Sequence, residues 1–284
     1  MVHKIRKQSG LTMSQRNVAL ITGSTDGLGR AVARKLALAG TAVLIHGRSR
    51  ERGERLVSEI RADGGTATFY EADFASLAAV RALAQAVQRD HTQLHLLINN
   101  AGIGTGDRSA KRDTSADGYE LRFAVNYLAG VLLTWSLLPL LVRSAPARII
   151  NVASVGQYPL DFDNLMLTRA YSGMRAYAQS KLAQIMFTFD LARELQGTGV
   201  TVNCLHPATY MDTTMVRAAG VTPVSAVEQG AEAVMQLAVA ADFQAQTGLY
   251  FNGKQRDRAH AQAYDPEARR RLAALSLQLA GLGP

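Results

Sequence analysis

Tyr177 and Lys181 stand four residues apart in Tyr177-Ala178-Gln179-Ser180-Lys181, at the start of a strongly helical segment. That spacing puts a phenol and an ammonium on one helix face. A free phenol titrates near pH ~10, too high for ready proton exchange at neutrality. An ammonium about 4 Å away favours the phenolate by roughly 4 kcal/mol at an effective dielectric of about 20. The lysine can thereby make the tyrosine a usable acid and base.

Two more polar groups suit such a pair. Ser154 closes the run Ile149-Ile150-Asn151-Val152-Ala153-Ser154, where its hydroxyl can hydrogen-bond the oxyanion that develops on a carbonyl during reduction. Asn126 sits in Phe123-Ala124-Val125-Asn126-Tyr127, inside an otherwise apolar helical stretch. A buried amide needs a polar partner, and a bound water linking it towards Lys181 would supply one. Each residue alone has a plainer explanation: an exposed helix pair for Tyr177 and Lys181, a cap for Ser154, an internally bonded amide for Asn126. Their weight comes from their conjunction.

Thr22-Gly23-Ser24-Thr25-Asp26-Gly27-Leu28-Gly29 lies between a short apolar run and a helical pattern, Arg30 to Ala39. Glycines tolerate positive φ and let backbone N–H groups approach a dinucleotide pyrophosphate, which also meets the positive end of the following helix. Glycine clusters are common in turns. The strand before and the helix after make this one a phosphate loop, with Gly23, Ser24, Thr25, Asp26, Gly27, Leu28 and Gly29 at the cofactor.

The next apolar run ends Ile45-His46-Gly47-Arg48. Gly47 stands where an NAD-binding protein usually carries the carboxylate that accepts the adenosine ribose hydroxyls. Arg48 can pair instead with a 2′-phosphate, so NADP(H) is the expected cofactor. The plainer alternative is that Arg48, with Arg50, Arg52 and Arg55, decorates a solvated helix start.

The elements that must position these groups follow from periodicity. Short β-branched or apolar runs alternate with helical patterns: Val18 to Ile21, Ala42 to His46, Thr66 to Glu71, Leu94 to Ile98, Arg148 to Val152, Val200 to Leu205 and Gly248 to Phe251. Continuous apolar strands must be covered on both faces, so an α/β fold with a doubly wound parallel sheet of about seven strands, in three layers, is expected. Such sheets bind ligands beyond the carboxyl ends of their strands, where the residues singled out above lie. The stretch Gly102 to Gly118 reads as a loop, Tyr127 to Val142 with its Pro139 as a buried helix, and Pro266 to Leu279 as a terminal helix.

With 284 residues and 48% hydrophobic content, the chain supports one domain over 17–284, preceded by a basic arm over 1–16. The run Tyr127 to Val142 is shorter than the roughly 20 residues a membrane span requires, and the start lacks the apolar stretch of a secretory signal. The single cysteine, Cys204, cannot bridge within the chain and suits a reducing cytoplasm. The formal charge of +8 is scattered, without the aromatic-interleaved basic motifs of nucleic-acid binders. His91 and His95 lack the glutamate of a zinc motif, so no metal is expected. No Gly-x-Ser-x-Gly elbow supports a serine hydrolase.

Taken together, Thr22 to Gly29, Asn99-Asn100-Ala101-Gly102, Asn126, Ser154 and Tyr177 to Lys181 resemble the short-chain dehydrogenase/reductase family, whose pattern is Thr-Gly-x3-Gly-x-Gly, Asn-Asn-Ala-Gly, Asn, Ser and Tyr-x3-Lys. The resemblance covers nearly everything after residue 16. It implies a Rossmann-type fold and an NADP(H)-dependent oxidoreductase interconverting a small-molecule carbonyl and an alcohol. Tyr177 would be its proton donor or acceptor. Lys181 would hold the nicotinamide ribose, Ser154 orient the substrate and Asn126 maintain a proton relay. Asp73 would contact adenine, with Asn100, Ala101 and Gly102 near the adenosine ribose. Similar family members are often homodimers or homotetramers. A catalytically silent NADP-sensing or scaffold protein on the same fold is the alternative.

The pattern is broken after the sixth apolar run. Relatives commonly carry Pro-Gly and then a threonine at the nicotinamide amide; here stand Pro207-Ala208-Thr209-Tyr210-Met211-Asp212-Thr213. The threonine register falls on Asp212 unless the loop is one residue longer, which puts Pro207 and Thr213 at the cofactor. The stretch between Ser154 and Tyr177, including Leu160-Asp161-Phe162-Asp163-Asn164-Leu165, is long and similar to the retinol dehydrogenase-like branch, as an insertion that could roof a substrate pocket.

Overall fold

The computed structural model describes residues 17–107 and 111–283. The arm expected over 1–16 lies outside the described residues, as does part of the Gly102 to Gly118 loop.

Helix starts are set by side chains that accept first-turn N–H groups. Asp26 caps α1 (Gly27–Leu38), Ser49 caps α2 (Arg50–Ala62) and Ser76 caps α3 (Leu77–Asp90). Between them run β1 (Val18–Ile21), β2 (Ala42–Gly47), β3 (Thr66–Glu71) and β4 (Leu96–Asn99). The long apolar helix comprises α4 (Leu121–Phe123), a π-helical turn (Ala124–Leu128) and α5 (Ala129–Arg143). It starts earlier than expected because Glu120 caps it. Then come β5 (Ala147–Val152), α6 (Gly173–Glu194), β6 (Val200–His206), α7 (Thr214–Ala218), α8 (Val227–Val239), β7 (Leu249–Asn252), β8 (Gln255–Asp257) and α9 (Pro266–Leu279).

The strands form one sheet in the order β3-β2-β1-β4-β5-β6-β7-β8, parallel except for β8. The winding reverses between β1 and β4, which opens a crevice at their carboxyl ends. Where seven strands were expected, the described residues hold eight. The addition, Gln255–Asp257, is short, exposed and polar, so it carries no hydrophobic signal. It closes a hairpin against β7.

Successive strand residues point to opposite faces, and both faces are dry. Leu20, Leu44, Leu97, Ile149 and Val202 pack with Val80, Leu133, Leu182 and Leu272 of α3, α5, α6 and α9. Ala19, Ile21, Val43, Ile45 and Ile98 pack with Val32, Leu36, Leu56 and Val234 of α1, α2 and α8. Leu121–Arg143 is long and apolar enough to cross a bilayer by length and composition, yet most of its apolar window is buried inside the protein. Its Val131, Leu132 and Leu137 belong to the core.

A polar thread crosses this core. Asn99 and Asn151 are register partners on β4 and β5. Asn99 Nδ2 donates to Thr134 Oγ1 at 2.9 Å and to Asn151 Oδ1 at 2.8 Å, and Asn151 Nδ2 donates to Thr188 Oγ1 at 2.8 Å. Replacing one member by an apolar residue strands the partners it leaves behind. Asn99→Leu should lower unfolding stability by about 2 kcal/mol, read as a drop in the urea midpoint at unchanged slope. An unchanged midpoint would show that the thread contributes nothing.

Candidate active site

The sheet's carboxyl edge gathers the expected residues. Ser154 follows β5 by two residues, and α6, capped by Ser172, presents Tyr177 in its second turn and Lys181 one turn later. Ser154 is buried and Tyr177 half-buried. Ser154 Oγ accepts the Gly156 N–H at 3.0 Å and shares a hydrogen bond with the Tyr177 phenol. A Cβ placed on Gly156 would lie 3.5 Å from Ser154 Oγ and 3.9 Å from Tyr177 Cε1, so serine and tyrosine flank an open glycine.

Lys181 is buried. Its Nζ donates to Val152 O at 2.8 Å and Gln184 Oε1 at 3.0 Å, and lies 5.8 Å from the Tyr177 ring centroid. Burial takes the Lys181 ammonium down to about 7. Burial also raises the Tyr177 phenol, against the opposing hydrogen bond from Ser154. The strong lowering of the phenol expected from an ammonium about 4 Å away is therefore absent. Lys181 is engaged by the backbone and by Gln184 instead.

Asn126 falls in the π turn, and its amide is satisfied without water. Oδ1 accepts Ile103 N–H at 2.7 Å, while Nδ2 donates to Ile103 O and Ser180 Oγ, both at 3.1 Å. It still faces the lysine across a glycine: a Cβ on Gly102 would lie 3.2 Å from Asn126 Oδ1 and 3.7 Å from Lys181 Nζ.

The phosphate loop fits a dinucleotide. Gly23 and Gly27 have φ of +63° and +49°, a region that favours glycine. A Cβ on Gly29 would fall 2.3 Å from Gly23 O. The loop and the first turn of α1 thus offer close backbone approach at a helix amino terminus. Asn100 supports the loop: its Nδ2 donates to Thr22 O at 2.8 Å and Gly23 O at 3.0 Å, and Thr22 Oγ1 accepts the N–H groups of Asn100 and Ala101, each at 3.0 Å.

Sequence reasoning passed over His46. Its Nδ1 accepts Gly23 N–H at 3.0 Å, its Nε2 donates to Ala72 O at 3.2 Å and its ring stacks on Phe74 at 4.3 Å. Burial lowers it to about 4, so it is neutral. It ties the phosphate loop to the end of β3 beside Asp73, which is exposed there. The available signal was a lone polar side chain closing an apolar strand. Gln184, the lysine's acceptor, gave no signal before helix and strand were brought together.

After β6, Asp212 is engaged by Arg217 at 2.6 and 2.8 Å. Thr213 lies at the phosphate loop, its Cγ2 3.1 Å from a Cβ built on Gly27, while Pro207 packs towards Gly230. Ala208 is buried. The insertion after Ser154 packs on the C-terminal elements: Leu160 exchanges hydrogen bonds with Gln262, and Asp163 pairs with Arg271. His91 bonds the Tyr70 hydroxyl and His95 accepts Val18 N–H.

The family pattern described as short chain dehydrogenase matches residues 17–223. This chain belongs to the short-chain dehydrogenase family. Human retinol dehydrogenase 12 is 35% identical over 278 residues, covering 93% of the chain and 86% of its own length. Mouse polyprenol dehydrogenase is 38% identical over 291 residues, with 94% and 84% covered. Among solved structures, an uncharacterised Mycobacterium Paratuberculosis protein aligns with a TM-score of 0.77 at 28% identity, covering 94% of both chains. The Pseudomonas aeruginosa RhlG/NADP active-site complex aligns at 0.68 and 29% identity, covering 84% of this chain and 95% of that one. The chain is thus a nicotinamide-binding oxidoreductase acting between alcohol and carbonyl, in the retinol dehydrogenase-like branch.

The lysine titration has a measurable sign. Its folded pKa, about 7, lies below the 10.5 of a free lysine. The folded chain therefore carries the full cost of a buried charge below pH 7 and gains stability as pH rises from there towards 10.5. For Lys181→Met, the variant-minus-parent difference in Tm should be most favourable to the variant near about pH 6 and become steadily less so towards about pH 9. A difference constant over that range would contradict a titration near neutrality.

Proposed function

We propose that this chain is an NADP(H)-dependent oxidoreductase with Tyr177 as its general acid and base. The observation that carries the reading is the convergence of Ser154, Tyr177, Lys181 and Asn126 at one end of the sheet, beside a glycine loop. A bound nicotinamide dinucleotide supplies or accepts the hydride. The raised phenol keeps its proton at neutral pH, ready for donation from its hydroxyl oxygen to the carbonyl oxygen of a substrate under reduction. The Ser154 hydroxyl steadies that oxygen as charge develops. Lys181, held by Val152 O and Gln184 Oε1 5.8 Å from the phenol's ring centroid, holds the nicotinamide ribose in this reading.

Two features support NADP(H). A Cβ at Gly47 would lie 2.6 Å from Thr25 Cγ2 and 2.7 Å from Thr25 Oγ1, so a carboxylate side chain cannot be added there without displacing Thr25. Arg50, Arg52 and Arg55 are paired with Glu71, Asp26 and Glu51. Arg48 is exposed and has no ion pair or hydrogen bond among the described residues, which leaves its guanidinium for a 2′-phosphate.

The substrate is an apolar alcohol or carbonyl in this reading. Val155 and Tyr158 follow Ser154, and Met174 precedes Tyr177; all three are exposed, as are Tyr210, Met215 and Val224 on the segment after β6. Exposed apolar groups clustered along segments at a site suit an apolar ligand. Relatives named for retinol and polyprenol are consistent with it.

Purified protein should oxidise NADPH with members of a panel of aldehydes, ketones and quinones, apolar aldehydes foremost. Tyr177→Phe should reduce turnover by about 1000-fold or more while calorimetry shows NADPH binding retained; turnover equal to the parent would defeat the mechanism. Parent protein that binds NADPH but reduces no panel member would favour the sensing alternative. Separately, NADPH should bind more tightly than NADH, and Arg48→Ala should narrow the gap by about tenfold. An unchanged preference would remove Arg48 from the account.

A further inference from the structure

Arg122 is a buried cation outside the constellation above. Its side chain is 8% exposed, and its partner Glu120 is fully buried. The two lie 3.8 Å apart between Nη1 and Oε1, and every arm of the guanidinium is used. Nε donates to Gly104 O and Nη2 to Thr105 O, each at 2.7 Å, and Nη1 donates to the Tyr171 hydroxyl at 2.6 Å. Tyr171 in turn donates to Glu120 Oε1 at 3.2 Å, and Glu120 Oε2 accepts Phe123 N–H at 2.7 Å. A buried charge is tolerable on such terms, with an opposite charge and hydrogen bonds on all sides.

The network joins three parts of the site. Arg122 and Asn126 are one helical turn apart and so share a face. Between them they grip consecutive residues of the strip after β4: Asn126 holds Ile103 by N–H and C=O, and Arg122 holds the next two carbonyls. Tyr171 brings in the approach to α6, six residues before Tyr177. There the fit is close: a Cβ on Gly173 would fall 2.0 Å from Thr105 O. On its other side, the strip carries Met215 of α7, whose Cγ would be 2.8 Å from a Cβ on Gly104.

The strip has separate anchors for separate tasks. Asn100 and Ala101 are fastened to Thr22 in the phosphate loop. Ile103 to Thr105 are fastened to Asn126 and Arg122 instead. Gly102 divides the two parts.

On the oxidoreductase reading above, we propose that Arg122 is a positioning residue for the reaction: it locks the strip Ile103 to Thr105 to the helices bearing Asn126 and Tyr177, and so sets the substrate's reacting carbon against the phenol. Cofactor binding rests on the other anchors. A planar fork with five donors reaches two carbonyls and a phenol at once; a lysine ammonium cannot reproduce that geometry. Small displacements at a reacting centre are expensive in rate.

The test uses the full chain, NADPH and a panel substrate that the parent reduces. Arg122→Lys keeps the charge and loses the fork; Tyr171→Phe removes one hydroxyl and keeps the ring, and it carries the test if the first variant does not fold. Calorimetry gives NADPH affinity and the fraction of competent sites, and turnover is expressed per competent site. Arg122→Lys should lower kcat about tenfold or more, and Tyr171→Phe about threefold. NADPH Kd should stay within about twofold of the parent. The primary isotope effect with NADPH deuterated at the nicotinamide C4 should rise as hydride transfer becomes slower than the other steps.

A kcat per competent site equal to the parent, with only Tm lowered, would make Arg122 a strut of the fold and overturn the proposal. Loss of NADPH affinity in step with kcat would overturn it too, by assigning Arg122 to the cofactor wall. A parent that reduces nothing on the panel would instead sink the functional reading beneath it, a result visible before any variant is made.

Discussion

An ammonium taken out of water has to be met by acceptors, and in Lys181 that requirement ties together the pieces of the site. Val152 O and Gln184 Oε1 meet it, binding the end of β5 to the middle of α6. Ser154 then follows two residues beyond one acceptor, and Tyr177 stands one turn before the lysine. The thread continues inward, because the Thr188 hydroxyl donates to Gln184 O and accepts from Asn151, which accepts from Asn99. A run of polar contacts thus connects the amine to the residue preceding Asn100 at the phosphate loop. Such a network in a low-dielectric core is stable when its members are partnered and costly when one is removed. It also makes the placement of Lys181 a property of the sheet rather than of a mobile surface side chain.

The cofactor side is organised by a neutral rather than a charged group. His46 accepts from Gly23 and donates to Ala72, a role that needs one protonated and one free ring nitrogen. Burial supplies that condition by holding the ring's pKa near 4. The same burial logic gives opposite demands at the two ends of the cleft. At Lys181 a base is driven towards neutrality while keeping its donors, and at His46 it is kept neutral so that it can accept. Around both, the sheet supplies rigidity through two apolar faces that leave little freedom to its strand ends.

Much of this was legible in the linear order of residues. Alternating apolar runs and helical patterns fixed a two-sided parallel sheet, because continuous apolar strands have no other way to leave water. Glycines between a strand and a helix marked the phosphate loop, and the i, i+4 spacing put Tyr177 and Lys181 on one face. The eighth strand escaped notice because Gln255–Asp257 has no buried face and is held by backbone pairing alone. Tyr177, Lys181, Ser154 and Asn126 could be singled out only in conjunction with the glycine loop, since each alone has a plainer local explanation.

What the sequence determined by itself was therefore the fold class and the candidate polar groups of the site, which follow from short-range periodicity and functional-group chemistry. Tertiary structure decided their partners. Asn126 was expected to need a polar partner, and the fold supplies Ile103 and Ser180. Lys181 was expected to act directly on the phenol and instead bonds Val152 and Gln184. Asp212 pairs with Arg217, and Arg122 bonds loop residues up to 49 positions distant. Hydrogen bonds and desolvation act over a few ångströms in space, and separation along the chain carries no measure of that distance until the sheet has folded.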